Sequence, residues 1–136
     1  MATDWPGILV TVQSTHIDMF GHVNHTRYLE YFEWARFAWS AHHGFPLPEM
    51  VRDQHMGPAI LRAQLHFRRE CRMGDTLRVT ARAVSARRGI GRIHQEIVDA
   101  NTGEAVCQAE MTFVMLDLVE RRAVPLPALF LALLTE

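Results

Sequence analysis

THIDMFGHVNHTRYLEYFEWAR, residues 15–36, is the stretch on which the reading turns. Its second half has helical spacing: Tyr28, Tyr31, Phe32, Ala35 and Trp39 form one apolar stripe, and Trp34, Phe37 and Ala41 widen it. Only a narrow ribbon stays polar, made of Arg27, Glu30, Glu33, Arg36 and Ser40. The spacing predicts a helix from Asn24 to His43, enclosed on most sides and roughly 30 Å long. Gly44 suits the left-handed position just past a helix, and Pro46 blocks continuation. The first half is a polar loop in which one aspartate, Asp18, precedes Gly21 and the helix start. The first N–H groups of a helix lack internal partners and carry the positive end of its dipole, so Asn24 to Arg27 offer donors where an oxyanion can develop beside Asp18.

Around this helix the period changes to two. Over residues 8–14, Ile8, Val10 and Val12 take one face of a short strand and Thr11 and Gln13 the other. From Ala59 through Leu61, Ala63, Leu65 and Phe67 every odd position is apolar. Met73-Gly74-Asp75 turns the chain into a run carrying Leu77, Val79, Ala81 and Ala83. Gly89-Ile90-Gly91 reverses it again before Ile93 and Ile97. Residues 99–103 form a hairpin connection to a last strand with Ala105, Cys107, Ala109, Met111, Phe113 and Met115 on one face. The expected order is strand, long helix, then four strands in a meander. This is an α+β fold, a curved antiparallel sheet wrapped around one long central helix, in a single domain over residues 1–136. Pro127 to Leu134 is expected as a short apolar helix. Apolar residues on the outer strand faces, Ile60, Val84, Val106, Val114 and Leu116, point to a second copy, so a homodimer or homotetramer is expected.

Composition sets the outer bounds. The 136 residues hold 14 basic and 15 acidic side chains, a formal charge of −1, which gives no surface for nucleic acid. Cys71 and Cys107 stand in strand-like stretches without a paired motif and read as reduced, buried thiols. The N-terminus lacks the basic start and apolar run of a signal peptide, and no membrane span is expected. A cytoplasmic protein is the expectation.

The segment Asp18-Met19-Phe20-Gly21-His22-Val23-Asn24-His25, followed by Tyr28 and by Glu33, Ala35 and Arg36, resembles the hot-dog-fold thioesterases of the 4-hydroxybenzoyl-CoA thioesterase class. The resemblance covers essentially the whole chain and implies hydrolysis of an acyl-CoA to a free acid and coenzyme A. It implies that Asp18 acts on the thioester carbon, as nucleophile or as base for water, while the backbone N–H of His25 polarises the thioester oxygen. Many relatives carry a second asparagine where this sequence has His25, a difference that touches substrate shape rather than the backbone donor. No cofactor is implied, coenzyme A being part of the substrate; an acyl carrier protein can present the same thioester.

The neighbouring residues have plainer roles. Gly21 permits a backbone shape other residues resist. Asn24 is expected as the helix N-cap, accepting from the N–H of Thr26 or Arg27. His22 orders the loop or lines the pocket, and Tyr28 belongs to the core with a possible share in the pocket. His16, His22 and His25 have no acidic or cysteine partner at ligand spacing, so no metal is expected. Glu33 and Arg36 read as a helix-surface pair. Arg87 and Arg88 at a strand end are either solvated charge or partners for the 3′-phosphate and pyrophosphate of coenzyme A. Two alternatives stand beside hydrolysis. A hot-dog enoyl-CoA hydratase would need an Asp-x-Asn-Pro-x-His arrangement, which this segment lacks. A non-catalytic acyl-CoA-binding module would not need Asp18.

Overall fold

The computed structural model describes residues 5–134. Strand β1 (Ile8–Thr11) leads through a short 3-10 turn, Ser14–His16, into the loop that carries Asp18, and then into helix α1 (Arg27–His42). A short helix α2 (Leu47–Glu49) continues as a π-helical turn, Met50–Gln54. Strands β2 (Met56–Phe67), β3 (Thr76–Arg87), β4 (Ile90–Asp99), β5 (Ala105–Asp117) and β6 (Arg122–Val124) follow, and α3 (Ala128–Leu133) stands at the expected C-terminal helix.

The strands form one antiparallel sheet in the order β1-β3-β4-β5-β2, with β6 also on β5. This corrects the meander expectation: β2 lies against β5, from Met56↔Asp117 to Phe67↔Cys107, and only β3, β4 and β5 follow one another as neighbours. The link after β2 shows why. Arg68 and Arg69 give their N–H groups to Val106 O, Cys71 O takes Val23 N–H, and Gly74 N–H reaches Val12 O. The chain is therefore held across the end of the sheet, over three strand spacings or roughly 14 Å, instead of turning back. Val106, read as an outer-face residue, is fully buried beneath this crossing. Bulges between Ile60 and Arg62 and between Ala83 and Ser85 bend β2 and β3, which helps the sheet curl around α1.

The inward faces of β3, β4 and β5 supply Leu77, Val79, Ile93, Ile97, Ala109, Met111 and Met115, which join Tyr28, Tyr31, Phe32, Ala35 and Trp39 of α1 in one core. Gln95 stands at an inward position with no exposure. Its amide donates to Phe32 O at 3.0 Å and to Thr80 O at 3.3 Å, and its Oε1 accepts from Arg36 Nη1 at 2.9 Å. A buried amide satisfied on both ends locks helix to sheet without the penalty of an unpaired polar group.

Helix α1 begins at Arg27 rather than Asn24, and ends in a Schellman turn in which Phe45 N–H bonds Ser40 O and Gly44, at φ +90°, bonds Ala41 O. It is not enclosed on most sides in a single copy. Ser40 is buried, whereas Leu29, Trp34 and Phe37 are 40–45% exposed, because nothing in one chain covers their side of the helix. Ile60, Leu61 and Phe67 are likewise exposed on β2, which is an edge strand. No helix among the described residues is long and apolar enough to cross a membrane.

Candidate active site

A bridge between Ile17 and Val23 closes the loop before α1 into a small hairpin. Asp18 N–H bonds His22 O at 3.2 Å and Gly21 N–H bonds Asp18 O at 3.0 Å, with Gly21 at φ +85°, where a side chain would strain the turn. The Asp18 carboxylate is half-buried, and both its oxygens are engaged. Oδ1 accepts Phe20 N–H at 2.9 Å, an Asx turn, and Oδ2 accepts from Asn24 Nδ2 at 3.1 Å.

Asn24 works in both directions. Its Oδ1 accepts Thr26 N–H at 2.9 Å and the Thr26 hydroxyl at 2.6 Å, while its amide N–H holds Asp18; Asn24 is not the expected N-cap, which is Thr26, and its contacts order the turn that leads into α1. The backbone N–H groups at this point can be accounted for one by one. Asn24 N–H goes to His16 O, Thr26 N–H to Asn24 Oδ1 and Arg27 N–H to Asn24 O. Among the described residues, that of His25 has no partner. A donor left open beside a carboxylate at a helix start is what a developing oxyanion needs. The His25 side chain points to solvent.

The cleft around Asp18 is walled by Thr15, His16, Ile17, Asn24, Thr26, Arg27 and Glu30. Arg27 is bound to Glu30 at 2.8 Å. His22 stacks on Phe20 and puts Nε2 3.2 Å from Glu70 Oε2, which steadies the loop at its rim. Tyr28 is only 3% exposed and sits behind the site. Its ring meets Phe67 edge-on, and burial, helped by the neighbouring Cys71 thiol, pushes its pKa far above the tyrosine range, so it stays a neutral core residue. Burial also raises the Cys71 thiol and pushes Cys107 up to about 12, which leaves neither as a ready thiolate nucleophile.

Arg87 and Arg88 are not brought to this cleft. Asp18 lies near the β3 end marked by Cys71 and Gly74, whereas the two arginines occupy the other end of β3, eleven residues on or roughly 36 Å along the strand. Both are exposed, and Arg88 adopts φ +55° in the β3–β4 turn.

A second hollow, ≈ 610 Å³ in volume, was not legible in the sequence. It lies between α1, β2 and the α2 and α3 segments, lined by Phe37, Trp39, Phe45, Val51, Phe113 and Phe130, with Glu33 and Arg36 at the side facing the Asp18 cleft. Glu30 walls the first space and Glu33 the second, about one turn apart on α1. Burial draws the Arg36 guanidinium below the ordinary arginine range, partly opposed by Glu33.

The description of the thioesterase-like superfamily fits residues 12–134. The chain belongs to that superfamily. Its curved sheet around a helix is the superfamily's hot-dog fold. Over 117 residues it is 27% identical to the long-chain acyl-CoA thioesterase FadM of Escherichia coli K12, covering 86% of this chain and 87% of that one. The solved YbaW, a probable thioesterase from Escherichia coli, superposes with a TM-score of 0.71 at 25% identity over 88% of this chain and 89% of that one. Slr0204, a 1,4-dihydroxy-2-naphthoyl-CoA thioesterase from Synechocystis, shares the fold with a TM-score of 0.84 at 20% identity, covering 95% and 94% of the two chains.

Proposed function

We propose that this superfamily member hydrolyses acyl-CoA thioesters at the helix start of α1. The observation that carries the reading is the tie through Asn24: one amide holds the Asp18 carboxylate and bonds the Thr26 N-cap of α1 beside the unpaired N–H of His25. The thioester oxygen takes the His25 N–H, which places the carbonyl carbon before Asp18. Either Asp18 removes a proton from an attacking water, or it attacks the carbon itself and the resulting anhydride is hydrolysed. In both courses the carbon–sulfur bond breaks as the oxyanion collapses, and the coenzyme A thiolate leaves with a proton from water.

The apolar hollow along α1 receives the acyl group, and the relation to FadM favours alkyl chains of some length. The exposed apolar residues of α1 and β2 are covered by a second copy in a homodimer or homotetramer, and Arg87 and Arg88 reach coenzyme A phosphates only from that copy. Carrier-protein thioesters fit the same cleft, and the cytoplasm is the compartment where either substrate is found. A coenzyme A complex of SAV2348 from Staphylococcus aureus, with TM-score 0.82 at 19% identity, shares this fold.

Thiol release from a panel of short, long and aromatic acyl-CoAs tests the reading. Turnover that disappears in Asp18→Asn supports it. Tight binding of acyl-CoAs with no thiol release would favour the non-catalytic module, and hydration of an enoyl-CoA would favour the hydratase.

A further inference from the structure

His16 closes the inner wall of the Asp18 cleft from the 3-10 turn before the loop, and its ring is held from several sides. The Gln13 N–H points at Nδ1 from 3.2 Å, and the Tyr31 hydroxyl lies 2.7 Å from the same nitrogen. A backbone N–H can only donate, so Nδ1 must accept and carries no hydrogen. The Tyr31 hydroxyl therefore donates as well, and the ring proton sits on Nε2. Burial pushes Tyr31 up to about 12, which keeps it a donor across the working pH range. The ring meets Tyr31 at 5.4 Å and 62° and Trp34 at 6.3 Å, so it does not turn over easily.

The residue is 8% exposed, yet Nε2 is not sealed in, and it has no partner among the described residues. Nor is His16 independent of Asp18. Its carbonyl oxygen takes Asn24 N–H at 3.0 Å, and Asn24 in turn holds Asp18 at 3.1 Å. The sequence offers three histidines in this segment with nothing to rank them. The structure separates them: His22 is occupied by Glu70, His25 turns outward, and His16 walls the cleft with a ring held in place through Nδ1.

We propose that His16 is a second substrate donor, its Nε2–H hydrogen-bonding the thioester carbonyl oxygen together with the His25 backbone N–H. The proposal rests on the acyl-CoA hydrolase reading above. It also assigns the imidazole a limit: with its lone-pair nitrogen already taken by two donors, His16 supplies a hydrogen bond and does not act as the base. Two donors on one oxygen stabilise the negative charge that grows there as the tetrahedral intermediate forms, and the effect belongs to kcat more than to KM.

Two measurements decide it. In steady-state assays, His16→Ala should lower kcat for a good acyl-CoA about 10²-fold with KM within about threefold, the scale of one lost oxyanion donor. His16→Gln, whose amide N–H reaches the Nε2 position, should recover at least about tenfold of that loss. If His16→Gln restores the melting temperature but no activity, or if His16→Ala keeps near-normal kcat, the role is structural only and the proposal fails.

The second measurement does not depend on turnover. Nitrogen-15 NMR of histidine-labelled Asp18→Asn protein should find His16 protonated at Nε2 alone. Its Nε2–H resonance should shift on adding a ketone analogue of an acyl-CoA, in which a methylene separates sulfur from carbonyl, and stay still with coenzyme A alone. A proton on Nδ1, or no response to the ketone, overturns the assignment. Lack of hydrolysis by the unmodified protein with the NMR response intact would instead count against the hydrolase reading.

Discussion

Asn24 Nδ2 lies 3.1 Å from Asp18 Oδ2, while the Oδ1 of the same amide accepts Thr26 N–H at 2.9 Å. One side chain thus fixes the position of a carboxylate relative to the start of a helix. An aspartate in a glycine turn is ordinarily there for the turn, and the Asx bond from Phe20 N–H to Asp18 Oδ1 is such a contact. The second oxygen is different, since it serves no turn and is aimed at Asn24, which bonds the Thr26 N-cap.

Changing Asp18 to asparagine separates the two uses. Asparagine keeps one acceptor oxygen for Phe20 N–H, so the turn should hold, while the bond from Asn24 Nδ2 is lost and the melting temperature should fall only slightly. Nucleophilicity and basicity are lost, and kcat should fall about 10²- to 10⁴-fold. Thiol release and thermal unfolding on the same preparation check both halves. An active Asp18→Asn enzyme would remove the aspartate from the mechanism.

Removing Asn24 should act on stability and rate together. In Asn24→Ala the bond from Thr26 N–H disappears, at about 1 kcal/mol, and Asp18 loses its tether. We expect a lower melting temperature with kcat reduced about tenfold or more, since a loosened catalytic group is misplaced for much of the time. Asn24→Ser, which can still accept from Thr26 N–H, should recover the stability and not the rate. Equal recovery of both would mean that the tether to Asp18 has no catalytic value.

The donor assigned to His25 belongs to the backbone, so its side chain should matter little. His25→Ala keeps the N–H and should lose less than about tenfold in kcat. His25→Pro deletes the N–H in the turn ahead of α1, one residue before the Thr26 N-cap, and should lose about 10²- to 10³-fold, or about 2.7–4 kcal/mol. Circular dichroism confirms that α1 survives. If both variants lose the same activity, the imidazole rather than the amide is at work.

Much of this architecture is legible in the sequence because burial imposes a period. The α1 stripe Tyr28, Tyr31, Phe32, Ala35 and Trp39 is buried as spaced, and Leu77, Val79, Ile93, Ile97, Met111 and Met115 all face inward at odd positions. Alternation fixes which face a residue takes but not which strand lies alongside, so nothing in Ala59 to Phe67 announces β5 as its neighbour. Trp34 and Phe37 look like core by composition and are exposed in one chain, since a sequence does not distinguish residues buried by the fold from residues a partner would bury. At the site, the expected bond from Thr26 N–H to Asn24 Oδ1 is present, but Asn24 is not the N-cap: that place belongs to Thr26, and the bond closes a turn just ahead of α1, because two turn residues separate Asn24 from the first helical residue, Arg27. Gln95 is not readable: a lone amide within an apolar face looks like noise until Phe32 O, Thr80 O and Arg36 are seen around it.

Acid stability should report on Asp99. Its carboxyl is held below the usual range by the N–H groups of Asn101, at 2.8 Å, and Thr102, with a further contribution from Arg69. A folded-state pKa below the unfolded one means stability that is present above the unfolded value, about 3.9, and lost as pH falls through the folded value. Asp99→Asn should therefore melt lower than the parent at pH 7, with the gap closing below about pH 4. A constant gap from pH 7 to pH 3 would show that charge is not what Asp99 contributes.

The distance between Arg87 and Asp18 leads to the last prediction. The arginines stand at the far end of β3 from the cleft, so within one chain they cannot hold the nucleotide of a thioester bound at Asp18. If they hold it at all, they do so across an interface, and the assembly should be at least a dimer by light scattering. Changing Arg87 and Arg88 together to alanine should raise KM for acyl-CoA and leave kcat nearly intact, because remote phosphate contacts serve ground and transition states alike. Added salt should imitate the change. Mixing supplies the decisive test: a heterodimer of an Asp18→Asn subunit with an Arg87→Ala, Arg88→Ala subunit holds one site lacking only the carboxylate and one lacking only its own arginines if the arginines serve their own chain, and one site lacking both and one intact if they serve the partner. Cross-subunit donation places the Asp18 lesion and the missing arginines at the same site whenever they lie on different chains, and leaves the other site whole. The mixed dimer should therefore show about half of the parental activity with an unchanged KM. An active fraction with raised KM would put the arginines on the same chain as the aspartate they serve, which the sheet geometry forbids, and would remove them from coenzyme A binding by this route.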